Sequence, residues 1–105
     1  AYRRQGIAAL QHIQQQWQQT GDNLDCLTRT NALLKAVALR AFPQRDVAAA
    51  TGDTWLTLLN SRITDAQQFN LNMLEAQYRG DIATDELEQH LGRVAYWIKR
   101  HRGDA

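Results

Sequence analysis

The chain has 105 residues, 44% of them apolar and 22% charged, the profile of one ordinary globular domain. Its 12 basic and 11 acidic residues leave a net charge of +1, which excludes a strongly basic nucleic-acid binder and an acidic disordered tail. One cysteine, Cys26, excludes a disulfide scaffold and a thiolate zinc site, and one proline with a mean hydropathy of −0.53 points to a soluble, regular fold.

Residues 5–19 are crowded with glutamine and nearly free of charge. Within that bias Ile7, Leu10, Ile13 and Trp17 recur at three- and four-residue steps, the spacing of one helix face. Glutamine is a fair helix former, so an amphipathic helix is expected from Tyr2 to Gln19 with glutamines on its wet side. Thr20-Gly21-Asp22 stops it. Asn23 or Asp25 is expected to cap a second helix, whose stripe is Leu24, Leu27, Leu34, Ala38 and Ala41, broadened by Leu33, Val37 and Phe42. That helix ends at Phe42, because Pro43 disfavours α geometry in the residue before it. Pro43 also suits a first helical position and is expected to open a short helix through Ala50. Thr51-Gly52 then closes that helix, and Asp53 caps the next, which carries Trp55, Leu56, Leu58 and Leu59.

Residues 61–69 read as a polar loop. Phe69, Leu71, Met73, Leu74 and Tyr78 predict a short helix or turn with core anchors, and Arg79-Gly80-Asp81 is a break. A last helix is expected from Thr84 or Asp85, where Asp85 and Glu88 have capping-box spacing. Leu87, Leu91, Val94, Ala95 and Ile98 form its stripe, and Lys99, Arg100, His101 and Arg102 close it with the sign that suits a helix C-terminus. No stretch alternates apolar and polar residues, so no sheet is expected, and no internal period suggests a solenoid. The expected fold is all-α: a small helical bundle of two to three long and two to three short helices over residues 1–105. Its core is expected to hold Trp17, Leu34, Phe42, Pro43, Gly52, Trp55, Leu59, Leu74, Tyr78, Leu91 and Ile98.

Candidate chemistry is sparse. Glu86 and His90 lie four apart on one helix face, a spacing a metal could use. A metal site needs further ligands, and nothing ties His12, His101 or Cys26 to that face. An exposed helical pair is the plainer reading. Cys26 has no histidine near it in sequence, so a buried structural cysteine is expected rather than a nucleophile. Asp22, Asp25, Asp81 and Asp85 sit at helix starts, where capping explains them. Gly52 follows no strand and heads no glycine-rich loop, which disfavours phosphate cradling. Arg79-Gly80-Asp81 spells an adhesion tripeptide but reads as a turn. Trp17, Trp55 and Trp97 are expected in the core. Tyr96 and Trp97 point about 100° apart on a helix, so one of them leaves the stripe and becomes a partner-contact candidate. No catalytic residue, cofactor site or metal ligand is expected.

Two basic clusters remain, Tyr2-Arg3-Arg4 at the start of the first helix and Lys99-Arg100-His101-Arg102 at the end of the last. Arginines at a helix N-terminus oppose its macrodipole, so the expected reason for Arg3 and Arg4 lies outside the fold. If the first and last helices pack antiparallel, both clusters form one positive pole. An anionic lipid surface attracts each such residue by about 1 kcal/mol, enough to supplement an anchor. The longest apolar run, Ala36 to Leu39, is fenced by Lys35 and Arg40 and falls far short of the ~20 residues of a spanning helix. No apolar run follows Tyr2-Arg3-Arg4, so no signal peptide is read. A first residue that is Ala rather than Met leads us to expect a fragment or a processed product.

Asn31-Ala32-Leu33-Leu34-Lys35, Val37-Ala38-Leu39-Arg40-Ala41-Phe42-Pro43, Asp46-Val47-Ala48, Thr51-Gly52-Asp53-Thr54-Trp55-Leu56 and Leu58-Leu59 form a block, continued by Phe69, Leu74, Tyr78-Arg79 and Trp97-Ile98-Lys99-Arg100-His101. This block resembles a bacterial family of unknown function: small membrane proteins usually encoded beside MoxR-type AAA+ ATPases and von Willebrand factor A (Bat-type) proteins. The resemblance runs from Arg3 to Arg102 and is most specific in the centre. It departs in the Gln-rich first helix and in the loop from Ser61 to Gln68. It implies an N-terminal transmembrane helix before Ala1, a basic juxtamembrane stretch at Tyr2-Arg3-Arg4 and a helical domain after it. Positive residues after the span place that domain on the cytoplasmic side of the inner membrane. No catalytic residue comes with the resemblance.

The expected function is a non-enzymatic, membrane-tethered accessory module with protein partners, a MoxR-type ATPase and a von Willebrand factor A protein. Arg3, Arg4, Lys99, Arg100 and Arg102 would be its membrane-proximal cations. The alternative is a helical nucleic-acid-binding domain using the basic chain ends, although the near-zero net charge argues against nucleic acid as a partner.

Overall fold

The computed structural model describes residues 1–78, Gly80 and residues 82–102, apart from the side chain of Asp65. The chain runs through α1 (Tyr2–Thr20), α2 (Asn23–Ala41), α3 (Gln44–Ala49), α4 (Gly52–Asn60), α5 (Leu71–Leu74) and α6 (Thr84–Arg100). Single 3-10 turns occupy Asp65–Gln67 and Ala76–Tyr78. Among the described residues there are no strands, and the all-α expectation holds. Three long helices of 19, 19 and 17 residues carry the fold, and three short ones cover one side. The adhesion-like tripeptide lies largely outside the described residues, since Arg79 and Asp81 are not among them.

α1 buries Gly6, Leu10 and Ile13 against α2 and α6. The glycine sets the approach of the three helices. A Cβ on Gly6 would stand 3.1 Å from Cγ2 of both Val37 and Ile98. α1 ends where Gly21 takes a left-handed φ of 67° and its N–H donates to the Trp17 carbonyl at 2.7 Å.

Asp22, not Asn23 or Asp25, caps α2, accepting from the Asp25 N–H at 3.0 Å. Asn23 has a different role. It accepts from Trp17 Nε1 at 2.8 Å and donates to the Ile82 carbonyl at 2.9 Å and Thr84 Oγ1 at 3.1 Å. One amide thus ties the end of α1 to the starts of α2 and α6.

Phe42 is extended before Pro43, which ends α2 at Ala41. Pro43 stands just outside α3 and is exposed, not part of the core. α4 begins at Gly52, with Thr51 before it, so Asp53 falls inside the first turn instead of capping it. Gly52 has a φ of 53° and an added Cβ would meet nothing within 4 Å, so it makes the turn into α4 and is not a core residue. α6 starts at Thr84 without a side-chain cap. Asp85 Oδ1 accepts from the adjacent Glu86 N–H at 3.0 Å, so the expected capping box is not formed.

The core runs between α1, α2 and α6 and includes Leu27, Leu34, Leu87, Val94, Trp97 and Ile98, all fully buried. Val47, Leu59, Ile63, Phe69, Met73 and Leu74 close it from the short segments. Phe42, Leu74 and Leu91 are buried, while Trp17 and Trp55 are half-buried against the core. Trp97 is at its centre and donates Nε1–H to the Leu59 carbonyl at 2.9 Å. Its neighbour Tyr96 is the half-buried one of that pair.

Tyr78, expected as a core anchor, is 80% exposed. The chain leaves α geometry at Glu75 and continues as a 3-10 turn, which advances 120° per residue and turns Ala76 inward in its place. Leu24, expected on the buried stripe of α2, and Leu39, in its apolar run, are 40% and 41% exposed.

Candidate functional site

The antiparallel packing of α1 and α6 brings the chain ends together. The Arg3 guanidinium reaches the last turn of α6, where Nη1 donates to the Ile98 carbonyl at 3.2 Å and to the Lys99 carbonyl at 3.0 Å. Nη2 donates to the His101 carbonyl at 2.7 Å. The Ile98 and Lys99 carbonyls lie in the last turn of α6, at the negative end of its dipole, and the His101 carbonyl lies just past it. Arg3 opposes the dipole of its own helix but satisfies the dipole of its neighbour. The reason for this arginine therefore lies inside the fold, contrary to the sequence expectation.

His101 completes the latch. Its Nδ1–H donates to the Trp97 carbonyl at 2.6 Å, and Nε2 accepts from the Tyr2 hydroxyl at 2.8 Å. Arg3 Nη1 lies 3.2 Å from the same Nδ1. With the Nδ1 proton directed at Trp97, that approach is a close contact rather than a hydrogen bond. The imidazole stacks on Trp97 with centroids 4.0 Å apart and planes at 11°. Burial lowers the His101 pKa; the Trp97 carbonyl opposes this, and Arg3 and Arg62 push the same way as burial.

Around this latch the cations collect. Arg40, on the last turn of α2, stands with Cζ 5.7 Å from the Tyr2 ring centroid. Arg62 lies 4.5 Å above the Phe42 ring and donates to the Arg102 carbonyl at 2.9 Å. Arg102 returns two contacts, from Nη2 to the Ser61 carbonyl and from its N–H to the Arg62 carbonyl, both at 2.9 Å. Arg4, Arg40, Lys99, Arg100 and Arg102 are exposed there. The acids Asp22, Asp25, Asp85, Glu86 and Glu88 sit at the opposite end, where α2 and α6 begin. Asp46, in the first turn of α3 just past the end of α2, is offset by Arg45 with Nε 3.9 Å from its carboxylate, so the cationic end keeps its excess and the net charge of +1 hides a separation of charge along the bundle.

A second feature is a cleft of about 230 Å³ on the flank, lined by Asn31, Lys35, Gly52, Trp55, Glu75 and Tyr78. Lys35 Nζ lies 5.7 Å from the Trp55 ring centroid. Asn31 supports its floor, donating to Gln77 Oε1 at 3.0 Å and to the Met73 and Leu74 carbonyls at 3.4 Å. It also accepts from His90 Nε2 at 2.7 Å.

His90 is therefore buried beneath the cleft and not half of an exposed pair with Glu86. Its position was legible, since residue 90 falls on the stripe of Leu87, Leu91 and Val94, but a polar residue type hid it. Burial lowers its pKa to about 4, with Arg93 adding to the effect. Its Nδ1 is buried without a hydrogen-bond partner.

Cys26 is buried, and burial raises its thiol pKa, with Asp25 contributing in the same direction. A thiol held protonated is a poor nucleophile. Among the described residues no three His, Cys, Asp or Glu side chains gather as a metal site would need. No described helix is long and apolar enough to cross a membrane. At the acidic end an open groove of about 600 Å³ lies between Gln14, Trp17, Asn23 and Glu88, its amide and indole already joined to each other.

No curated protein and no solved structure matches the chain. A family model does match, over residues 1–100; the match takes in the cleft and all of the latch and cationic end except His101 and Arg102. The chain belongs to the family described as domain of unknown function (DUF4381).

Proposed function

We propose that this domain is a non-enzymatic accessory module, tethered at the inner membrane with its helical bundle facing the cytoplasm, that works with a MoxR-type AAA+ ATPase and a von Willebrand factor A protein. The observation that carries the reading is the gathering of Arg4, Arg40, Lys99, Arg100 and Arg102 around the Arg3–His101 latch. A charged end built on a rigid helix-to-helix latch suits docking. The groups that chemistry would recruit are occupied in structural work, His90 with Asn31 and His101 with Tyr2 and Trp97. Cys26 is held as a thiol by burial. The resemblance to small membrane proteins encoded beside these two protein classes supports the choice of partners.

The test is affinity purification of the full-length protein from its own cells. Recovery of the MoxR-type ATPase or of the von Willebrand factor A protein is the expected result. Recovery of neither overturns the proposal.

A further inference from the structure

We infer that the cationic end is a docking surface for an anionic lipid bilayer, so that the ends of α1, α2 and α6 rest against the headgroups. The inference rests on the membrane placement proposed above and gives that placement an orientation. Five exposed cations, Arg4, Arg40, Lys99, Arg100 and Arg102, come from three converging helix ends and the residues just past them. Arg3 is fixed among them by the Ile98, Lys99 and His101 carbonyls, which pins the start of α1 to the end of α6 and so holds the backbone positions that carry Arg4, Lys99 and Arg100 side by side before binding.

Range decides what a surface feels. α1 has 19 residues and is therefore about 28 Å long. The acids at the starts of α2 and α6 lie about that far from the cations. The Debye length is about 10 Å at 0.1 M salt, so a charged sheet at the basic end is screened from the acidic one. The +1 net charge understates the attraction, which depends on the local cations.

Two apolar groups favour a bilayer over a nucleic acid. Leu39, 41% exposed, shares the last turn of α2 with Arg40. The half-buried Tyr2 ring lies against Arg3 and Arg40, each 5.7 Å from its centroid. An apolar side chain and a tyrosine among cations match the headgroup–acyl boundary, whereas a phosphate backbone offers Leu39 nothing. The cations also belong to several elements, and none lines a single helix face of the kind that enters a groove.

The test is co-sedimentation of the 105-residue chain with phosphatidylcholine vesicles and with phosphatidylcholine–phosphatidylglycerol vesicles at low and high salt. Binding is expected on the anionic vesicles alone, weakening with salt. The triple variant Arg4→Gln, Lys99→Gln, Arg100→Gln should lose about 100-fold in partitioning, at about fivefold per cation. Arg29→Gln, at the acidic end, should lose nothing, and thermal melts establish that both variants fold. No binding at low salt, or undiminished binding by the triple variant, overturns the inference. Tighter binding to a DNA or RNA oligonucleotide than to the anionic vesicles overturns it in favour of a nucleic acid. Fractionation of cells holding the full-length protein tests the tether separately. A soluble full-length protein whose bundle still binds vesicles defeats the tether alone, and a membrane-bound one whose bundle ignores vesicles defeats the docking surface alone.

Discussion

Acidification should destabilise this domain through one buried imidazole. His90 has an ordinary pKa of 6.5 in the unfolded chain and about 4 in the folded one, because burial penalises its charged form. Its Nε2–H is committed to Asn31 Oδ1, so a proton taken up at acid pH goes to Nδ1. That nitrogen is buried with no acceptor to meet it. Between pH 6.5 and about 4 the unfolded chain binds a proton that the folded chain refuses, and stability falls as pH falls. Above 6.5 the term is constant, and below about 4 it is fully lost. At 1.4 kcal/mol per pH unit the loss approaches about 3 kcal/mol, a large share of the roughly 5–15 kcal/mol of a typical domain. The lowered pKa of His101 acts in the same direction. Urea denaturation of wild type and His90→Gln, stepped from about pH 7.5 to about pH 4, measures it. The variant should start less stable and lose clearly less over that range. Parallel declines would show that His90 titrates normally and that the burial argument is wrong.

Other substitutions test the packing. Gly6→Ala should destabilise by about 1–2 kcal/mol, since overpacking against Val37 and Ile98 outweighs the gain in helix propensity. Gly92→Ala, exposed in α6 with nothing within 4 Å of the added carbon, should stabilise by about 0.5–1 kcal/mol. Thermal melts that move both variants the same way would refute the contrast. Leu34→Ala should cost about 2–5 kcal/mol in chemical denaturation, and a loss below about 1 would mean the α2 face is misplaced. Arg3→Met, which keeps the aliphatic stem, should cost about 1–3 kcal/mol by leaving the α6 carbonyls without their donor. An unchanged midpoint would remove the latch from the account.

The long helices were legible because their signals are local. Apolar recurrence at three and four residues drew α1 to within a residue of its limits and α6 to within two, and Pro43 marked where α2 must stop. What escaped the sequence depends on partners distant along the chain. Arg3 looked misplaced because its own helix was the only dipole in view, and the carbonyls it serves lie more than 90 residues on. Gly6 carried no signal, since a glycine chosen for helix–helix approach looks like any other. His90 was discounted as polar although it sits on the buried stripe, because Asn31, which makes its burial tolerable, is on another helix. Tyr78 failed for a local reason: a helical period was extended past the point where the chain becomes a 3-10 turn. Ile63 is buried in what read as a polar loop, a single apolar residue too isolated to form a pattern. Of the candidate site, the two basic clusters were visible at once. Arg40 and Arg62 joined them only in three dimensions, through Tyr2 and Phe42.

The central claim, that this fold turns its cationic end toward an anionic membrane, is tested most directly by hydrogen–deuterium exchange of the chain with and without phosphatidylglycerol vesicles. Slowed exchange is predicted at residues 2–5, 39–43 and 99–102, where α1, α2 and α6 meet, with residues 22–26 and 84–88 unchanged. Protection at the acidic end, or along the Trp55–Tyr78 cleft in place of the cationic end, would contradict it.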